Sequence, residues 1–141
     1  MIRISIPGNP IAKARPRFAR RGKFVTTYNP QETEEGFWVL QAMEQIKKSG
    51  VQTPIQGPVS IACSLAFQRP KSHFGAKGVK PSAPTSHTQK PDCDNTIKFV
   101  MDALTRCGVW NDDTQVVQMG VEKYWVDKEP MTSITIKPEW P

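Results

Sequence analysis

Every second residue from Val59 to Phe67 is apolar: Val59, Ile61, Cys63, Leu65 and Phe67 alternate with Ser60, Ala62, Ser64 and Ala66. A period of two places all five on one face of an extended strand. A chain built around such a strand needs neighbours to pair its backbone and a second layer to cover its apolar face. Ile2, Ile4 and Ile6 give residues 2–7 the same reading, closed by Pro7-Gly8-Asn9-Pro10. Val117, Met119, Val121 and Trp125 line one face of a third strand. A four-residue turn, Asp127-Lys128-Glu129-Pro130, leads from it to a fourth with Ile134 and Ile136 inward.

Two segments carry helical signals. Asn29-Pro30-Gln31-Glu32 reads as a helix start, with Asn as cap, Pro at the first helical position and Glu three residues after the cap. Phe37, Leu40, Met43 and Ile46 then recur at helical spacing as far as Gly50 and are expected to pack inward, with Trp38 and Val39 widening the face. Asp94 is expected to cap a second helix running to Cys107, with Ile97, Val100, Leu104 and Cys107 inward and Gly108 as its stop. The order strand, helix, strand, helix, hairpin within 141 residues predicts a single domain, 1–141, of the α/β (mixed α+β) class, with a mixed four-stranded sheet and two main helices.

Two stretches resist this scheme. The basic run KARPRFARRGK, residues 13–23, has too little apolar content to pack and reads as a surface loop or loose hairpin. From Gln68 to Gln89 the alternation gives way to Lys, Ser, Pro and Gly. A loop of that length in a small domain is either functional or disordered. Its lysines favour a flap that touches a polyanion.

Charge is distributed unevenly. The net charge is +6, yet no acid precedes Glu32, and none lies between Glu44 and Asp92, where seven lysines and arginines fall. Such segregation produces a positive potential that attracts phosphates. Charge alone does not separate DNA from RNA, from an anionic membrane, or from an ordinary solvated surface. No apolar run approaches the ~18 residues of a membrane span, and the opening MIRISIPGNP lacks the apolar core of a signal peptide. A cytoplasmic protein without a membrane partner is expected. Cys63, Cys93 and Cys107 show no paired metal-ligand spacing and are expected as reduced thiols.

The acids concentrate in KPDCDNTIKFVMDALTRCGVWNDDTQVV. Asp92 and Asp94 flank one residue at the expected helix start, Lys98 follows Asp94 by one turn, and Asp112-Asp113 stand in the turn after the helix. Carboxylates in a basic chain suit phosphodiester hydrolysis: the basic surface holds the backbone, and the acids hold a hard divalent cation. The same residues also read as a helix cap, a dipole-compensating acid, an ordinary turn, and an i,i+4 ion pair of Lys98 with Asp94 or Asp102. Spacing leaves both readings open.

Taken together, K-P-D-x-D-N-x-x-K-x-x-x-D-A-L (Lys90 to Leu104) and W-x-D-D-x-Q-V-V (Trp110 to Val117) resemble the core of the RusA family of Holliday-junction resolvases, and the P-G-N-P-x-x-K-x-R-P-R opening extends the likeness. The resemblance implies metal-binding carboxylates at Asp92, Asp94 and Asp113, a catalytic lysine at Lys98, a supporting role for Asp112 and a structural one for Asp102. It further implies Mg²⁺, with Mn²⁺ as substitute, and a homodimer that cuts paired strands of four-way DNA in recombination and repair, in a bacterial cytoplasm and encoded by host or phage. Lys13, Arg15, Arg17, Arg20, Arg21, Lys23, Lys71, Lys77 and Lys80 are the candidate contacts to the DNA backbone. Cys93, between the first two acids, and the long 68–90 loop depart from the pattern. A structure-selective DNA-binding protein without catalysis, or a nuclease acting on flaps or other branched DNA, are the alternatives.

Overall fold

The computed structural model describes residues 1–14, 17–28 and 31–139. Strand β1 (Ile2–Pro7) buries Ile2, Ile4 and Ile6 and leaves Arg3 and Ser5 outside, as its alternation requires. A small hairpin, β2 (Arg17–Arg21) and β3 (Phe24–Tyr28), forms its own two-stranded sheet. Helix α1 spans Glu32–Lys48. Strand β4 (Val59–Gln68) carries the five alternating residues, each at most 5% exposed. A minimal hairpin of β5 (Phe74–Gly75) and β6 (Gly78–Val79) precedes helix α2 (Cys93–Cys107), and β7 (Val116–Val126) and β8 (Met131–Pro138) follow.

The four long strands form one mixed sheet in the order β1-β8-β4-β7. This corrects the expected C-terminal hairpin. Strand β7 pairs parallel with β4, while β8 lies antiparallel between β1 and β4. The turn at 127–130 therefore crosses the end of β4. Arg69 and Gln68 hold it there: the Arg69 guanidinium donates to the Asp127 carboxylate at 2.9 Å, and Gln68 Nε2 to the Asp127 carbonyl at 2.7 Å. Helices α1 and α2 supply the covering layer, and the core runs through Trp38, Ala42, Leu65, Phe99, Val100, Leu104 and Ile136. Burying each large apolar side chain contributes about 1.5–3 kcal/mol.

The inward face of α1 also differs from expectation. Trp38, Val39, Ala42 and Ile46 are buried, whereas Phe37 and Leu40 are each 65% exposed and Met43 is 46% exposed. Two apolar stripes run side by side on this helix. The one that wins joins the bulkiest side chain, Trp38, edge-on to Phe99 at 5.8 Å, to a small residue, Ala42, that lets the helix approach closely. The Asn29-Pro30 cap lies outside the described residues.

Residues 68–90 are built rather than formless. Arg69 donates to the Pro84 carbonyl at 2.6 Å, and His87 is sandwiched between Phe67 and Trp125 with ring centroids 4.2 Å away on each side. Buried aromatic contacts at the sheet end thus supply the core that the loop's own composition lacks.

Candidate active site

Helix α2 begins two residues earlier than expected: its cap is Asp92, not Asp94. Asp92 has the extended backbone of a cap, but its carboxylate makes no capping hydrogen bond. Thr96 secures the junction instead, donating both its amide (3.1 Å) and its hydroxyl (2.9 Å) to the Asp92 carbonyl. On the other side, the Lys123 ammonium of β7 donates to the carbonyls of Gln89 (2.6 Å) and Pro91 (2.9 Å). The backbone of Asp92 is fixed from both directions while its side chain stays in solvent. Asp94 and Lys98 follow on one exposed face of α2. Among the described residues, no hydrogen bond or ion pair occupies the side chains of Asp92, Asp94 or Lys98. Lys98 therefore does not make the i,i+4 pair that spacing allowed.

Further along that face, Asp102 binds Lys13 at 3.2 Å, and the Lys13 amide donates to the Asn95 carbonyl at 3.1 Å. Both residues tie the segment after β1 to α2.

Past the left-handed Gly108, at φ 76°, the chain turns back through Trp110, whose indole donates to Thr105 Oγ1 at 2.8 Å. Asp112 caps a single helical turn, accepting from the Thr114 amide at 2.9 Å. Gln115 is the hub of this turn. Its Oε1 accepts from the amides of Asn111 and Asp112, and its Nε2 donates to the carbonyls of Ile55 (2.8 Å) and Gly57 (2.9 Å). The bonds from Thr114 hold the Asp112 carboxyl below its usual range. Asp113, beside it, is pushed up by desolvation and by the neighbouring Asp112 and Asp102 carboxylates.

The expected carboxylates are thus divided. Asp92 and Asp94 stand at the start of α2, and Asp113 stands past its end, beside Asp102 and Asp112. A helix of 15 residues spans about 22 Å at 1.5 Å per residue. Among the described residues, no three His, Cys, Asp or Glu side chains come together to hold a metal ion.

The basic candidates occupy separate places. Arg20 and Lys23 are exposed on the β2–β3 hairpin, and Lys71, Lys77 and Lys80 on the flap around β5 and β6. Arg15 lies outside the described residues, as do the side chains of Arg17 and Arg21. The three thiols are free, and burial pushes Cys63 up to about 12 and Cys107 to about 11. No helix among the described residues is long and apolar enough to cross a membrane.

The profile of the family described as Endodeoxyribonuclease RusA matches residues 7–137. The chain belongs to the RusA family. A relative from Bacillus subtilis (strain 168), described as Uncharacterized protein YqaN, is 31% identical over 139 residues, covering 96% of this chain and 95% of its own length. In this RusA-family chain, three residues without an assigned role in the motif hold the backbone around the candidate acids: Thr96, Gln115 and Lys123. The D-x-x-Q spacing of Asp112 and Gln115 is a local capping-box signal. Lys123 reaches across 34 positions to Gln89, and no local pattern announces such a bond.

Proposed function

We propose that this RusA-family endodeoxyribonuclease is a Mg²⁺-dependent homodimer that resolves four-way DNA junctions by paired, symmetric cuts. One observation carries the reading. Asp92 sits on a backbone clamped by Thr96 and Lys123, with Asp94 two residues on, and among the described residues neither exposed carboxylate has a partner. Acids left uncommitted at a rigid helix start suit a hard cation with oxygen ligands. Asp92 and Asp94 would hold the ion, while Asp113, past the far end of α2, stands apart from them within one chain. Bound there, Mg²⁺, or Mn²⁺ in its place, supplies Lewis-acid stabilisation and an acidified water. Lys98, one turn past Asp94 and unpaired among the described residues, is placed to offset negative charge developing on the phosphate. Arg20, Lys23, Lys71, Lys77 and Lys80 offer the duplex arms phosphate contacts on two exposed hairpins. A junction has approximate two-fold symmetry, so two identical sites related by a two-fold axis cut opposing strands in one encounter.

The separation of Asp113 from Asp92 and Asp94 favours a second reading, a protein that binds branched DNA without cutting it. One gel separates the two. A synthetic immobile four-way junction is incubated with Mg²⁺ and then with EDTA, beside a flap and a linear duplex. Symmetric nicks in the junction alone, seen only with metal, are expected. Retarded but uncut junction under Mg²⁺ and Mn²⁺ selects the binding reading, and equal cutting of all three substrates rejects the junction preference.

A further inference from the structure

We infer that His87 is a proton-operated latch: its neutral ring pins the flap of residues 68–90 to the sheet, and taking up a proton releases that flap while the sheet and helices stay folded. The latch stands on the fold itself, whereas its effect on DNA rests on the branched-DNA reading above.

The flap has almost no core of its own. Among the described residues from 71 to 90, His87 is the single buried one. Its ring fills the slot between Phe67, near the end of β4, and Trp125, near the end of β7. The flap's other attachments gather around that ring. The Trp125 amide donates to the Thr85 carbonyl at 3.2 Å, Ser86 bridges to Tyr124, and the Lys123 ammonium reaches the Gln89 carbonyl. Lys71, Lys77 and Lys80, the exposed cations of the flap, ride on the segment that this cluster restrains. A segment held by so few buried contacts opens as a unit at lower cost than the domain unfolds.

The slot suits a neutral ring and not a charged one. Neutral imidazole can leave Nδ1 as an unused acceptor, but a charged ring places an N–H there. That atom is buried and has no hydrogen-bond partner among the described residues. The charged groups around the slot are mostly cations. Lys123 of β7 acts on His87 directly. Arg69, just after β4, contacts His73 Nδ1 at 3.3 Å, and His73 lies edge-on to Trp125 at 5.1 Å. The acid in this group, Asp127, is already held by Arg69 at 2.9 Å. The faces of Phe67 and Trp125 favour a cation, yet burial first and Lys123 second keep the proton off the closed slot. The proton therefore binds more readily with the flap open, and acidification draws the flap from the sheet.

Amide exchange followed by nuclear magnetic resonance between about pH 7.5 and 5, with each rate corrected for its intrinsic pH dependence, tests the latch. Protection of the Trp125 and Lys80 amides, which donate to Thr85 and His73, is expected to fall by as much as about tenfold per pH unit below about 6.5. Amides in the β1–β8 pairing should keep theirs. His87→Phe fills the slot without a titrating group and should hold the flap closed throughout. If that variant does not fold, the His87 ring resonances of the wild type give the same test, because their titration must coincide with the loss of flap protection. Flap and sheet losing protection together, a flap indifferent to pH, or a response preserved in His87→Phe overturns the proposal. Junction retardation at fixed ionic strength reads the consequence for DNA. Added protons raise the positive charge, which by itself tightens binding; the latch predicts weaker binding on acidification, and none of that weakening in His87→Phe. A flap that opens while junction affinity holds keeps the latch and removes the flap from the DNA contacts. Absence of junction binding at every pH rejects the DNA reading and leaves the exchange result standing.

Discussion

Lys123 and Pro91 meet across 32 positions of sequence, the ammonium of one donating to the carbonyl of the other at 2.9 Å, immediately ahead of Asp92. The sheet thereby sets where the first acidic residue stands. Lys123→Met removes both carbonyl contacts, and displacement of a reacting group by a fraction of an ångström is enough to slow chemistry. Junction cleavage under single-turnover conditions is expected to fall on the order of tenfold or more, with junction affinity little changed. Lys123→Arg, which keeps the donor, should recover part of the rate. Equal rates in Lys123→Met and wild type would remove its positioning role.

Asp92 and Asp94 contribute exposed, uncommitted carboxylates to the native state. Asp92→Asn and Asp94→Asn should therefore leave the melting temperature unchanged while abolishing metal-dependent cleavage. Junction binding should persist or tighten, because a negative charge near phosphate is gone. Calorimetry and gel retardation on the same preparations read both effects. Wild-type cutting by either variant rules out its metal role.

Gln115 makes four hydrogen bonds from one side-chain amide. At a net ~0.5–1.5 kcal/mol each, Gln115→Ala should cost about 2–6 kcal/mol of unfolding free energy in urea. Cleavage should fall as well, since the turn carrying Asp113 loses its anchor to Ile55 and Gly57. A loss confined to activity, with full stability, would count against the hub.

His87 ties stability to pH. It is 4% exposed between Phe67 and Trp125, and its Nδ1 has no hydrogen-bond partner among the described residues. Desolvation first, and then the Lys123 ammonium, lower its pKa below the ordinary 6.5, with a backbone contact opposing them. The unfolded chain thus takes up this proton at a higher pH than the folded one. Stability is full above about 6.5 and falls as pH drops toward the lowered folded value. Urea midpoints between pH 7.5 and 5 should show the decline, and His87→Phe, which keeps a ring in the stack, should flatten it. An unchanged slope in that variant would assign the pH dependence elsewhere.

The two stripes of α1 can be told apart by volume. Leu40→Gln, on the exposed stripe, should change stability by less than about 0.5 kcal/mol. Ala42→Leu, at a position with no exposure, should cost about 1–3 kcal/mol by overpacking. The reverse ranking would return Phe37, Leu40 and Met43 to the core.

Alternation alone located β1, β4 and β8, because period two has one interpretation when a single face is buried. Glycine at position 108 likewise stopped α2 where its left-handed backbone demands. Period 3.6 was less decisive on α1, where adjacent apolar stripes differ only in which one the sheet accepts. Strand order escaped the sequence for another reason: a four-residue turn at 127–130 suits a hairpin locally, and only the pairing of β4 with both β7 and β8 forbids it. The motif marked the acids and the lysine as a candidate set. Their division along α2 became visible only with the helix in place, since a helix start and the turn past its end are close in sequence but not in space.

Strand β8 sits between β1 and β4, and β1 has no other neighbour in the sheet. Of these four strands, the first to be made must therefore wait for the last. Until Met131–Pro138 emerge, Ile2, Ile4 and Ile6 have no sheet to join, and β4 offers an open edge on the side where β8 belongs. Assembly of this sheet is deferred until β8 has been made, which makes the nascent chain dependent on whatever shields apolar strands in the meantime. A protein cut short before residue 131 would lose the member that joins its two outer parts, rather than a dispensable tail.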